Sequence, residues 1–77
     1  MLKVLSVEAR DDYTLFVKLS DGRKGIFDVK PYLDKGIFVE LKNIDYFKQV
    51  KPLFCGITWP HEQDFCVDTI ELRLKPE

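Results

Sequence analysis

Long apolar runs are missing from this chain of 77 residues. Nothing in it approaches the roughly 18 consecutive apolar residues of a membrane-spanning helix. The start, Met1-Leu2-Lys3-Val4-Leu5, enters an alternating pattern without the apolar stretch of a signal peptide, so the expected location is the cytoplasm. Cysteine is scarce: Cys55 and Cys66 are too few for a disulfide framework, and both read as reduced thiols packed in the core. No charge dominates. Lys and Arg total 12 against 13 Asp and Glu, a formal charge of −1, so no overall attraction to nucleic acid or to an anionic membrane is expected. Repeats, low-complexity tracts and Ser/Gly linkers are lacking as well, which leaves one domain over residues 1–77. Also absent are a Walker loop, a dinucleotide fingerprint, paired Cys-x-x-Cys and His-Glu-x-x-His, the stronger signatures for phosphate, cofactor or zinc.

What is present suffices for one small core. Apolar residues make up 45%, with six Phe, three Tyr and one Trp, and the 32% that are charged suit a solvated surface. A domain of this size buries only roughly 60% of its unfolded surface, so a thin stability margin is expected. Charge is slightly uneven: Phe16 to Lys51 carries eight basic and five acidic residues, Ile57 to Glu77 five acidic and two basic, a pattern that reads as an ordinary solvated surface.

Leu5, Val7 and Ala9 share one parity within Leu2–Ala9, which predicts a strand, followed by a turn at Arg10-Asp11-Asp12. Tyr13, Leu15, Val17 and Leu19 alternate with polar or opposite-face residues up to Asp21-Gly22, which predicts a hairpin running to Val29. A two-residue loop would put Phe27 and Val29 on the face opposite the main apolar stripe. A three-residue loop, Ser20-Asp21-Gly22, with a left-handed Gly22 and a bulge, instead sets Leu15 opposite Phe27 and Tyr13 opposite Val29, and that register is preferred. Lys30-Pro31 ends the hairpin. Tyr32, Leu33, Ile37, Phe38 and Leu41 then return apolar groups to the core from an irregular connection around Gly36. Asn43 is placed to cap a helix of about two turns with Ile44, Phe47 and Val50 on one face, ending before Pro52. Leu53, Cys55, Ile57 and Trp59 alternate as one strand, with Gly56 marking a bulge or close contact. After a turn at Pro60–Gln63, Ile70, Leu72 and Leu74 alternate as an edge strand would, although Asp68 and Glu71 have capping-box spacing. The fold expected is α+β: a small, mostly antiparallel β-sheet of about four to five strands with one short helix packed on it.

Candidate chemistry is sparse. Cys55, His61, Asp64 and Cys66 are ligand types that suit zinc, but their spacing matches no strong template, and two buried thiols beside an exposed histidine is the better reading. A Cys66–His61 nucleophilic pair would also need an oxyanion site, to which nothing points. Asp21, Asp28, Asp64 and Asp68 lie beside turns, where carboxylates commonly accept backbone N–H groups. The turn Trp59-Pro60-His61-Glu62 offers an aromatic at a loop entrance, a feature that can anchor a partner. The better reading is that Trp59 caps the core at the end of its strand. Phe16, opposite in parity to Leu15 and Val17, is placed to join Ile26 in an apolar patch.

Four marks carry a family resemblance: Leu19-Ser20-Asp21-Gly22; Gly25-Ile26-Phe27-Asp28; Gly36-Ile37-Phe38 with Leu41 and Phe47; and Ile57-Thr58-Trp59-Pro60 with Asp64. In this the chain resembles the bacterial family known as domain of unknown function 2442. The family's last mark runs Trp-Pro-Asn-Gly-x-Asp and continues through Pro-Asp-x-Leu-Tyr. Here His61-Glu62 stands at the Asn-Gly turn, Val67 at the proline and Ile70-Glu71 at the Leu-Tyr. The resemblance implies a short, compact α+β protein, and no catalytic residues come with the family; with the cofactor signatures absent, no cofactor is expected. Some similar proteins carry an added helix-turn-helix, for which this chain has no room after the sheet, and many are encoded beside another small protein in toxin-antitoxin-like pairs.

The expectation is therefore a non-enzymatic protein-interaction module, the accessory or antitoxin-like half of a two-protein pair, that binds a small protein partner through Trp59, Pro60, His61 and Asp64 or through an exposed strand. A homodimer is a further expectation, because a small sheet leaves an edge to cover. The alternative is a regulatory nucleic-acid or small-ligand binder using Lys30, Lys35, Lys42, Lys48 and Lys51. An enzyme built on Cys66, His61 and Asp64 ranks third.

Overall fold

The computed structural model describes residues 1–76. The first half is an antiparallel meander of β1 (Val4–Ala9), β2 (Thr14–Leu19) and β3 (Lys24–Asp28). The hairpin between β2 and β3 has the three-residue loop: Leu15 lies opposite Phe27, Leu19 N–H donates to Arg23 O at 2.8 Å, and Gly22 sits at φ 96°. Val29 N–H donates to Tyr13 O at 3.1 Å, which carries the register to the end of the hairpin. Parity then puts Leu15, Val17, Leu19, Phe27 and Val29 into the core. On the other face Phe16 lies opposite Ile26, both half-buried, with the Arg10 guanidinium 5.4 Å from the Phe16 ring centre. That patch is shielded by a cation rather than by a helix.

Two 3-10 segments, Lys30–Tyr32 and Gly36–Lys42, make the connection. Leu41 is buried and Tyr32, Leu33 and Phe38 are half-buried, but Ile37 does not return to the core: it is 63% exposed. In a 3-10 turn residues three apart eclipse, so Phe38 and Leu41 share the inner side and Ile37 is left outside. Asn43 caps α1 (Ile44–Phe47), its Oδ1 accepting from the N–H groups of Asp45 and Tyr46. The helix is one turn long rather than two, and it buries Tyr46 and Phe47.

A second antiparallel sheet holds β4 (Lys51–Leu53), β5 (Gly56–Thr58) and β6 (Asp64–Phe65). The expected single sheet of four to five strands is thus two sheets of three strands. The expected strand from Leu53 to Trp59 is folded into a hairpin at Phe54-Cys55, where Phe54 takes φ 52°. Alternation alone could not find that break, since both arms and the turn carry apolar residues. Gly56 is required by a close approach: a β-carbon there would lie 2.2 Å from Phe65 O.

β5 and β6 are joined by Trp59–Gln63, a turn with the same bonding as Leu19–Arg23. Trp59 N–H donates to Gln63 O and Glu62 N–H to Trp59 O, each at 3.0 Å, and Glu62 takes φ 74° at the position Gly22 fills in the first turn. The C-terminal segment is α2 (Val67–Arg73), not an edge strand. Val67 and Ile70 are buried and Leu74 half-buried, whereas Leu72 is exposed, so the i, i+3, i+7 spacing prevails over the alternation of residues 70, 72 and 74. Lys75 then pairs with Ile26, N–H to O in both directions at 2.9 and 2.7 Å, and covers part of the β3 edge.

The sheets meet where Val4 N–H donates to Cys55 O at 3.2 Å, with β4 against β1 and α2 against β3 and β5. Between them, Ile57, Trp59, Phe65 and Ile70 close over the first sheet's apolar face.

A non-glycine residue in the left-handed region costs about 1–2 kcal/mol, part of which glycine gives back as unfolded-state entropy. Replacing Glu62 with Gly is therefore expected to raise stability by about 0.5–1 kcal/mol, read as a higher urea midpoint with an unchanged m-value.

Candidate interaction site

The turn that the sequence singles out is built inward as well as outward. Trp59 is 1% exposed, and its indole N–H donates to Phe47 O at 2.8 Å, which ties β5 to the end of α1. Trp59 therefore presents no ring to a partner from the surface; it anchors the turn to the core. Pro60, His61 and Asp64 are exposed.

What holds the turn is a polar network that the sequence reading did not find. Gln63 is 2% exposed and uses both ends of its amide: Oε1 accepts from Tyr46 Oη at 2.6 Å, while Nε2 donates to Ile37 O at 3.0 Å and to Glu40 Oε1 at 2.9 Å. Tyr46 Oη accepts in turn from His61 N–H at 2.8 Å, and the two rings stack with centres 5.1 Å apart. Glu40 Oε2 lies 2.6 Å from His61 Nδ1. Four side chains from three segments thus tie the Trp59–Gln63 turn and the Gly36–Lys42 segment into one surface. Among the described residues no buried side-chain N or O atom lacks a partner. The only sequence-level hint was Gln63, a polar residue between buried Trp59 and Phe65, and its partners lie 17 to 26 residues away.

Glu40 is held below its ordinary value of 4.5, first by the Gln63 amide and then, against the opposing effect of partial burial, by hydrogen bonding and charge attraction from His61. Ile37 and Val39 protrude from this braced segment, 63% and 46% exposed.

The other candidate constellations do not assemble. Cys66 is exposed at the start of α2, not packed in the core, and its Sγ lies 3.5 Å from Thr69 Oγ1. That hydroxyl, followed by the backbone N–H of Thr69, lowers the thiol's pKa from its ordinary value. Cys55 is half-buried, and His61 is engaged with Glu40 rather than with Cys66. Among the described residues no three His, Cys, Asp or Glu side chains gather as a metal site. Of the basic stretch, Lys30 pairs with Asp28 at 3.1 Å, Lys42 with Asp34 at 2.5 Å and Lys48 with Asp11 at 2.5 Å. Among the described residues no helix is long and apolar enough to cross a membrane.

Two outcomes follow from the network. Gln63→Ala removes the acceptor of the Tyr46 hydroxyl proton and the side-chain donor to Ile37 O, and is expected to cost about 2–4 kcal/mol in a urea titration. A carboxyl with a depressed folded-state pKa stabilises above its unfolded pKa and loses that contribution as pH falls through the folded value. Asp12, Asp21 and Asp34 are lowered too and titrate in the same window, so the difference between proteins is the readout. The melting temperature of Glu40→Gln should fall less than that of the unaltered chain between about pH 5 and pH 3.

No curated protein and no solved structure matches the chain. A family model described as "Protein of unknown function (DUF2442)" matches residues 4–76, nearly the whole chain, and the chain therefore belongs to that family.

Proposed function

We propose that this protein is a non-enzymatic interaction module, the accessory or antitoxin-like half of a two-protein pair, which receives a small protein partner on the surface formed by the Trp59–Gln63 turn and the Gly36–Lys42 segment. The observation that carries this reading is the network of Glu40, His61, Gln63 and Tyr46 beneath exposed Ile37 and Val39. Gln63 and Tyr46 are buried and bonded to each other and to exposed Glu40 and His61, which rigidifies the backbone that bears them, and a rigid base with protruding aliphatic groups loses little entropy when a partner covers it. Pro60 and His61 form the rim, and Trp59 contributes as the anchor below rather than as a contact. The ion pairs of Lys30, Lys42 and Lys48 count against a phosphate-binding face, because each would have to be broken before the lysine could neutralise a phosphate.

The test is affinity purification of the tagged full-length chain from its own cells at moderate salt, with mass spectrometry of the eluate. One small protein in stoichiometric amount is expected, with its affinity reduced at least about tenfold by Ile37→Asp. Recovery of the chain without a stoichiometric companion, or a companion held equally well by Ile37→Asp, rules the surface out.

A further inference from the structure

A second surface stands apart from that turn, on the β4–β5 hairpin. Phe54 is 89% exposed and sits at φ 52°, so one residue combines a backbone conformation disfavoured for a bulky side chain with a fully presented apolar ring. Beside it lies a notch of about 180 Å³ lined by Leu53, Phe54, Cys55, Gly56, Phe65 and Cys66, with Asp64 also on its wall. An apolar cavity of about 150 Å³ is enough to take a benzene ring, so the notch matches the group that projects next to it.

We propose that the chain forms a weak two-fold dimer in which Phe54 of each copy enters the notch beside Phe54 of the other. A knob and a hole that adjoin on one face are self-complementary: a two-fold axis passing between them fills both notches at once, whereas a one-sided partner would fill one notch or cover one ring. Charge is compatible with this. Lys51 and Asp64 are each paired with Thr58 and so lie on the same face of the sheet, one of each sign, and two copies meet there without a like-sign field. Leu53, 44% exposed beside Phe54, widens the apolar contact. A contact centred on one phenylalanine and one leucine per copy is a small one beside the roughly 800 Å² per partner of a standard stable interface, so a weak, concentration-dependent dimer is expected. It needs neither the partner nor the surface of the proposed function, so the two can fail separately.

The test is sedimentation velocity on the full chain from about 10 μM to about 1 mM. The mass is expected to rise toward twice that of the chain, and in a sample mixing labelled and unlabelled protein, intermolecular NOEs are expected between the Phe54 ring and the Leu53 methyl groups. Phe54→Gly relieves the left-handed strain, so the variant should melt no lower than the unaltered chain while its dimer dissociation constant rises at least about tenfold. A chain that stays monomeric to about 1 mM overturns the proposal, as does a Phe54→Gly variant that dimerises as tightly as the unaltered protein or a dimer lacking those NOEs.

Discussion

Phe65 is where the parts of this molecule meet. Its ring packs against Phe27 of the first sheet at 5.1 Å between centres, Tyr32 and Phe38 of the connection at 4.9 Å each, and Trp59 of the second sheet at 6.0 Å. Neither three-stranded sheet could bury its own apolar face, because a small sheet needs a second layer to exclude water from it. The aromatic contacts supply that layer with few residues, and their edge-to-face and stacked geometries add to what burial alone contributes. Everything else hangs from this junction: β6 is two residues long because its task is to deliver Phe65, and Gly56 lacks a side chain because the Phe65 carbonyl occupies the space.

The polar network is the second layer of organisation, and it depends on the first. Gln63 lies two residues before Phe65 and four after buried Trp59, so the aromatic packing on either side fixes where its amide can reach. With the amide placed, Tyr46, Glu40 and the Ile37 carbonyl become its partners, and the Gly36–Lys42 segment, itself only a 3-10 run with one buried residue, gains a definite position. A proposed recognition surface on so short a chain draws its rigidity from hydrogen bonds between segments, since neither segment has enough regular structure to be stiff alone.

Local signals were legible in the sequence where one interaction decides the geometry. The Ser20-Asp21-Gly22 loop was readable because only one loop length places Phe27 and Val29 beside Leu15, and the Asn43 cap because a side-chain oxygen there has backbone donors within reach. The split at Phe54-Cys55 was not, since a left-handed phenylalanine runs against the turn preferences that sequence reading relies on. Helix α2 was misread because residues 70, 72 and 74 alternate, and the choice was made by the burial of Val67 and Ile70 where α2 packs against both sheets. For the site, the turn itself was visible in Trp59-Pro60-His61, and of the two readings of Trp59 its burial fits the core cap rather than a surface contact. Tyr46, Glu40 and Gln63 are distant in sequence and of types too common to draw notice.

The two matching turns separate the shape of a loop from the residues that fill it. At one of them the left-handed position holds glycine and at the other glutamate, with the same pair of hydrogen bonds closing each loop. Shape at such a position is set by the strands on either side, and a residue other than glycine can occupy it at a cost in strain. A loop can therefore keep its closing hydrogen bonds without the glycine by which it would be recognised, so the absence of glycine at residue 62 hides a turn without abolishing it.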